Sequence, residues 1–155
     1  MWRVFGLLFF GDKERFYDRR NKRIDKDGIE RMLTELKIGV GETATEVIRT
    51  RDNASDKYLE IVRPVDLAGL LAKVPDCGIL ATTGEKAAGV IAGLTGTSVP
   101  KMGESATCSV RMADGRNRDF LHWRLPSTSR AFPMTLEKKA SFYGEMLQSA
   151  GIFKG

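Results

Sequence analysis

The sequence has few of the residues that usually hold metals or form disulfides. Its 155 residues include a single histidine, His122, and two cysteines, Cys77 and Cys108, which form no Cys-x-x-Cys pair. Because zinc and iron–sulfur sites need clustered thiolate or imidazole ligands, we predict no metal and no cofactor. Low cysteine content is also typical of a reducing compartment, so we expect a cytoplasmic protein.

Long apolar runs are missing as well. The apolar stretch at residues 1–10 is shorter than the roughly 20 residues that a membrane-spanning helix needs. It also lacks the small-residue cleavage pattern of a signal peptide. We therefore predict no membrane partner, and we interpret residues 1–10 as a core helix that Gly11-Asp12 ends.

Positive charge is what the sequence does have. It contains 25 Lys and Arg against 20 Asp and Glu, with a formal charge of +5, and 42% of its residues are hydrophobic. That hydrophobic fraction is sufficient for one core, and we predict a single domain over residues 1–155. The basic residues recur in several segments, as a basic face on a folded protein would require; residues 13–31 and 111–124 are the longest. This distribution favours a polyanionic partner.

Helical and strand patterns alternate along the chain. Apolar residues at steps of four and three predict a helix over 136–150, and Asp66 is placed to cap another helix. Residues 78–82 form a short apolar run that predicts a parallel strand buried on both faces, and a helix over 86–94 follows directly. Asp114-Gly115 predicts a hairpin. Helix–strand–helix order with short turns indicates the α/β class.

Other segments carry weaker patterns. Residues 12–27 are highly charged and indicate a solvated connection, after which apolar spacing predicts a short amphipathic helix over 29–36. Residues 38–41 fit either a short buried strand or a turn. Residues 43–51 mix β-branched and basic side chains and support no firm assignment.

The stretch most suited to binding is residues 125–133, Leu-Pro-Ser-Thr-Ser-Arg-Ala-Phe-Pro. Adjacent hydroxyls between prolines predict a rigid loop with outward donors, because the first proline fixes its φ. Each hydroxyl residue can give a hydroxyl or N–H to a phosphate. The candidate DNA-binding residues are Pro126, Ser127, Thr128, Ser129 and Arg130. The alternatives are hydroxyls that cap the last helix, a solvated Arg130, and a Phe132 that packs beneath the loop.

Other candidates are less specific. Asn53, Ser55 and Asp56 either line a site or form a turn that satisfies its own backbone. His122 lies in an alternating run, as either a half-buried strand histidine or a group that faces a substrate. Thr82-Thr83-Gly84 before a helix allows a third interpretation, a nucleotide-binding module that holds a phosphate at the helix start.

The Leu-Pro-Ser-Thr-Ser run at 125–129 resembles the second signature loop of the uracil-DNA glycosylase superfamily, and in particular of its hypoxanthine (deoxyinosine)-DNA glycosylase-like branch. Trp2-Arg3, Asn53-Ala54-Ser55-Asp56 and the segment 79–84 occur in matching order. The resemblance implies a three-layer α/β/α sandwich around a short, mainly parallel sheet. It also implies hydrolysis of the N-glycosidic bond of a deaminated base, uracil or hypoxanthine, flipped out of double-stranded DNA.

The first signature of that superfamily has no counterpart in this chain. The resemblance implies that the first strand and a catalytic asparagine would lie upstream of Met1, so the catalytic residue is unknown. A non-catalytic DNA-binding remnant of the fold is the alternative. We expect a monomer, although a sheet without its first strand exposes an edge through which copies could associate.

Overall fold

A computed structural model describes residues 1–50 and 59–154. Within these residues lie five helices, namely α1 Trp2–Phe10, α2 Lys26–Glu35, α3 Leu67–Ala72, α4 Glu85–Thr95 and α5 Leu136–Ser149. The strands are β1 Tyr17–Asp18, β2 Arg23–Ile24, β3 Ala44–Arg49, β4 Leu59–Pro64, β5 Ile79–Thr83, β6 Ser105–Arg111 and β7 Asn117–Leu125. The predicted α/β class is confirmed. Every helix in the described residues is too short or too polar to cross a membrane.

The chain divides into two compact units. Met1–Val40 and Ser127–Gly155 form one, which we call the helical unit, and Gly41–Pro126 form the other, the sheet unit. The single domain over residues 1–155 stays a prediction.

Aromatic packing holds the helical unit together. The rings of Phe5 in α1 and Tyr143 in α5 meet edge to face, with centroids 6.3 Å apart. Gly11 ends α1, as predicted, and it adopts the left-handed conformation with φ of 65°. The Thr135 hydroxyl caps α5 by accepting from the Lys138 N–H at 3.2 Å. The helix predicted from the spacing of its apolar residues is therefore confirmed.

The connection between α1 and α2 carries more structure than we predicted. Within the charged segment 12–27, β1 and β2 pair as a short antiparallel hairpin. The helix that follows begins earlier than expected, because the Asp25 carboxylate accepts from the Gly28 N–H at 3.0 Å and caps it. Residues 38–41 form neither helix nor strand.

The sheet unit is built on a three-stranded sheet in the order β5-β7-β6. β7 pairs in parallel with β5 and antiparallel with β6, and Gly115 turns the predicted hairpin with φ of 83°. Helices α3 and α4 cover one sheet face. Their shared core consists of Leu67, Leu71, Ile91, Cys108 and Phe120. The three-layer sandwich stays a prediction.

Two outcomes in this unit depend on strand pairing and on the face that the helices cover. We predicted residues 78–82 to be buried on both faces, but only Thr82 among them is buried and Ala81 is exposed. The reason is that α3 and α4 cover one sheet face and Ala81 lies on the other, where Leu121 of the central strand is also exposed. Residues 43–51, which supported no firm assignment, contain β3, and this strand pairs with β4 in a separate antiparallel hairpin.

Arg118 of β7 ties the end of α3 to this sheet. Its guanidinium donates to the carbonyl oxygens of Val74 at 2.7 Å and Cys77 at 2.8 Å, and it also contacts the Leu71 carbonyl oxygen. These carbonyls belong to the last turn of α3 and the connection to β5, and those of Leu71 and Val74 also accept from the backbone N–H groups of Val74 and Cys77. One side chain therefore joins three acceptors of this connection.

Candidate nucleic-acid interface

The loop that follows β7 changes from buried to exposed over a few residues. Leu125 and Pro126 are buried, Ser127 and Thr128 are half-buried, and Ser129 is exposed, as is Arg130 after it. Pro126 is thus buried at the start of the loop, and among the three hydroxyl residues beyond it only Ser129 is fully exposed. The exposed part belongs to the helical unit.

Two side-chain turns fix the shape of the loop. The Ser127 Oγ accepts from the Ser129 N–H at 3.2 Å, and the Ser129 Oγ accepts from the Ala131 N–H at 3.3 Å. In each turn the hydroxyl oxygen acts as acceptor, so its own proton remains able to donate. The serines therefore stiffen the backbone, and each keeps a hydroxyl proton that can donate.

Further donors lie between these turns. In the part of the chain that the structure describes, the Thr128 hydroxyl and the N–H groups of Thr128 and Arg130 have no hydrogen-bond partner. Nor does any described carboxylate lie within 4.0 Å of the exposed Arg130 guanidinium. Open N–H and O–H groups beside a free cation are the arrangement that binds a phosphate oxygen.

A buried lysine supports the loop from below. Lys139 in α5 is only 4% exposed, and its Nζ donates to the Ser129 carbonyl oxygen at 2.7 Å. The same Nζ lies 5.5 Å from the centroid of the Phe132 ring. The half-buried Phe132 thus packs against the lysine that supports the loop, in agreement with the alternative in which Phe132 packs beneath it.

The ammonium group of Lys139 has no carboxylate within salt-bridge distance among the described residues. A buried cation without such a partner attracts anions more strongly than a surface cation does. The hydroxyl loop therefore lies directly over a fixed positive charge.

The sequence did not predict that Lys139 supports the loop, because Lys139 sits in the charged run Glu137-Lys138-Lys139. A signal was present, since Lys139 lies four residues before Tyr143 and seven before Met146, on the buried side of α5. A lysine at the edge of an apolar stripe is usually solvated through its long stem. Sequence spacing could therefore nominate Lys139 but not show that its ammonium is buried.

His122 is buried in the sheet unit and is hydrogen-bonded within the protein. Of the two interpretations of His122, a half-buried strand histidine and a group that faces a substrate, neither is observed: His122 is 0% exposed, because it lies with Phe120 on the sheet face that α3 and α4 cover. Its Nε2 lies 2.8 Å from the Thr82 Oγ1, which is itself 3.3 Å from the Trp123 carbonyl oxygen. Burial lowers the pKa of His122, so the ring is held neutral. Neither ring nitrogen faces solvent.

The remaining candidates add little to the loop. Asn53, Ser55 and Asp56 lie outside the described residues. At the start of α4 the Gly84 N–H already donates to the Leu125 carbonyl oxygen at 2.9 Å, and Glu85 places a negative charge in the first turn. This helix start is poorly suited to a phosphate, which weakens the nucleotide-binding interpretation.

No grouping of His, Cys, Asp and Glu in residues 1–50 and 59–154 is suited to hold a metal ion. No protein-family model, curated protein or solved structure matches the chain significantly. The assignment to the uracil-DNA glycosylase superfamily therefore stays a prediction that rests on the residues of the loop.

Proposed function

We propose that the protein is a DNA repair glycosylase of the uracil-DNA glycosylase type, which hydrolyses the N-glycosidic bond of a deaminated base in double-stranded DNA. The observation that supports the proposal most is the Ser127–Ser129 loop, with its open donors above the buried ammonium of Lys139. The finer parts of the proposal are a three-layer sandwich, a monomeric enzyme and uracil or hypoxanthine as the base.

The loop has a defined task in such an enzyme. Its hydroxyl and N–H donors hold a phosphate of the damaged strand, which fixes register without reading sequence. Arg130 presses on the strand or fills the space that the flipped nucleotide leaves. Unstacking a base costs a few kcal/mol, and phosphate contacts on either side of the lesion offset this cost.

The bond-breaking step would follow from positioning and electrostatics. A water molecule attacks the anomeric carbon while the base leaves as an anion, and fixed dipoles stabilise the charge that develops. The resemblance assigns the water to an asparagine that has no counterpart in this chain. The part of the mechanism that the described residues can perform is the binding of the strand.

The alternative is a DNA-binding protein of the same type without glycosylase activity. The state of His122 favours it, because the one histidine of the chain is buried, neutral and hydrogen-bonded to Thr82. In this alternative the loop still binds phosphates. Only the hydrolysis of the N-glycosidic bond is absent.

The two functions separate in one assay. Duplexes with a central uracil, a central hypoxanthine or only normal bases would be incubated with the protein and then cleaved with alkali at abasic sites. We expect strand cleavage of one damaged duplex and none of the normal duplex. The Ser127→Ala/Arg130→Ala variant should cleave more slowly, because it holds the strand less well.

Each outcome points to one interpretation. Binding to all duplexes without abasic product would contradict the glycosylase and support the DNA-binding alternative. Absence of both binding and product at low salt would contradict the two together.

A further inference from the structure

We propose that the β1–β2 hairpin is a second DNA contact, which grips the phosphate backbone of a duplex independently of the Ser127–Ser129 loop. The inference rests on the proposed function only in taking DNA as the partner. Its evidence is separate, since it comes from the charge, rigidity and shape of residues 17–24, which the loop does not use.

Positive charge is concentrated at the tip of this hairpin. Arg19, Arg20, Lys22 and Arg23 are all exposed, and no described carboxylate lies within salt-bridge distance of any of them. Exposed basic side chains that are not engaged in ion pairs are free to neutralise phosphates and release their counterions.

The one acid in the turn is used to build it. The Asp18 carboxylate accepts from the Arg20 N–H at 2.9 Å, the Asn21 N–H at 3.2 Å and the Asn21 Nδ2 at 2.6 Å. The hydrogen bonds from Asn21, aided by the charge of Arg23, lower the pKa of Asp18, so the carboxylate stays ionised. The basic side chains are thus carried on a turn of fixed shape.

The base of the hairpin is anchored to the helical unit. Phe16 is buried, and its ring meets that of Phe10 edge to face at 5.6 Å between centroids. The Asp25 N–H donates to the Phe16 carbonyl oxygen at 2.9 Å and closes the hairpin. A charged tip on an anchored base loses little conformational entropy when it binds.

The hairpin is a two-stranded ribbon. Such a ribbon can enter the major groove of DNA, which is about 12 Å wide. Tyr17 and Ile24 pair across the strands and are 43% and 53% exposed, so they place apolar surface beside the basic tip. This surface amounts to one cross-strand pair, too small to insert into a lipid bilayer but suited to packing against deoxyribose.

The test removes the charge and keeps the turn. The hairpin variant carries Arg19→Gln, Arg20→Gln, Lys22→Gln and Arg23→Gln, and leaves Asp18 and Asn21 in place. The matched control removes the same charge from exposed basic residues elsewhere, with Arg31→Gln, Lys37→Gln, Lys73→Gln and Lys101→Gln. Binding to an undamaged 20-base-pair duplex is measured by fluorescence anisotropy at several salt concentrations, and circular dichroism confirms that each variant is folded.

We expect the hairpin variant to lower the slope of log K against log salt by about 0.9 for each lost phosphate contact, or about two to four in total. The control should lower it by less than one. Equal slopes for the two variants would overturn the inference, because the effect would then come from net charge alone. A variant with Arg19→Lys, Arg20→Lys and Arg23→Lys should keep the wild-type slope, and loss of slope in this variant would also count against backbone contact.

The remaining outcomes separate this inference from the proposed function. If Ser127→Ala/Arg130→Ala weakens binding and the hairpin variant does not, the hairpin inference fails and the proposed function stands. If the wild-type protein binds no duplex, the proposed function itself fails. Hairpin-dependent binding to vesicles of 30% phosphatidylserine in phosphatidylcholine, stronger than to the duplex, would assign the hairpin to a membrane surface instead.

Discussion

The three-stranded sheet and the Ser127–Ser129 loop use polar side chains in opposite ways. In the sheet, the Arg118 guanidinium donates to three carbonyl oxygens and the His122 Nε2 is hydrogen-bonded to the Thr82 hydroxyl, so these atoms are engaged by the protein itself, although the buried His122 Nδ1 has no partner among the described residues. In the loop, the serine hydroxyl oxygens accept hydrogen bonds that shape the backbone, and their protons are still able to donate. The contrast separates polar residues that stabilise the fold from those that are left for a partner.

The largest expected effect is a loss of stability in the sheet, on replacement of Arg118. Arg118→Met leaves the carbonyl oxygens of Leu71, Val74 and Cys77 without their shared donor. Because hydrogen bonds to charged groups are worth about 1.5–3 kcal/mol and these are not additive, we expect a loss of about 3 kcal/mol in the free energy of unfolding.

Urea denaturation measures this loss, with Arg118→Lys as an intermediate variant that reaches fewer carbonyls. The affinity of folded Arg118→Met for DNA should stay within about twofold of wild type. A loss of affinity larger than the loss of stability explains would place Arg118 in the interface.

The next largest effect is expected for Lys139 in the helical unit, whose replacement should change DNA affinity more than stability. Lys139→Met removes the buried ammonium and its hydrogen bond to the Ser129 carbonyl oxygen, but it keeps an apolar side chain of similar length. Replacing a buried charge with an apolar group is often neutral for folding, so we expect the free energy of unfolding to change by about 1 kcal/mol or less. DNA affinity should fall about tenfold, or about 1.4 kcal/mol, because the loop loses both its support and its charge.

Lys138→Met is the control, since Lys138 is exposed and adjacent on the same helix. Affinities measured at one low salt concentration compare the two variants. Equal losses would show that only net charge matters and that Lys139 does not position the loop.

A third prediction concerns pH. Burial lowers the pKa of His122 in the folded protein, whereas in the unfolded chain it stays near 6.5. As the pH falls below about 6.5, the unfolded state takes up a proton that the folded state refuses, so the free energy of unfolding falls until the folded pKa is reached. The slope is at most about 1.4 kcal/mol per pH unit.

Urea denaturation between pH 7.5 and 5 in wild type and His122→Gln isolates this contribution. The variant should be less stable at neutral pH and should show a shallower decline. Parallel curves for the two proteins would mean that His122 titrates normally, in contradiction to its burial beside Thr82.

Local chemistry made part of the fold predictable. Asp66 caps α3 by accepting from the Gly69 N–H at 3.0 Å, Asp114-Gly115 turns the β6–β7 hairpin, and the apolar spacing of α5 needed no tertiary information. These features depend on residues within a few positions of one another. The exposure of Ala81 and the complete burial of His122 depend instead on which sheet face α3 and α4 cover, which no local pattern contains.

The candidate site also has features that local sequence predicted and features that it did not. The prolines and hydroxyls of residues 125–133 indicated a rigid loop, and the turns at Ser127 and Ser129 show how it is shaped. The role of Lys139 could not be derived, because it depends on α5 bringing an ammonium group ten residues further along the chain under the Ser129 carbonyl. The two-residue strands β1 and β2 were hidden by the charge of the segment that contains them.

The most direct test of the claim that the Ser127–Ser129 loop contacts a phosphate compares two exposed arginines of equal charge. One lies beside the loop and the other in the three-stranded sheet. Arg130 follows the hydroxyl loop, whereas Arg116 lies at the tip of the β6–β7 hairpin, with its side chain 88% exposed. The measurement is the salt dependence of binding to an undamaged duplex for Arg130→Gln and Arg116→Gln. We predict that Arg130→Gln lowers the slope of log K against log salt by about 0.9, one phosphate contact, and that Arg116→Gln leaves it unchanged. The same slope in both variants would contradict the account.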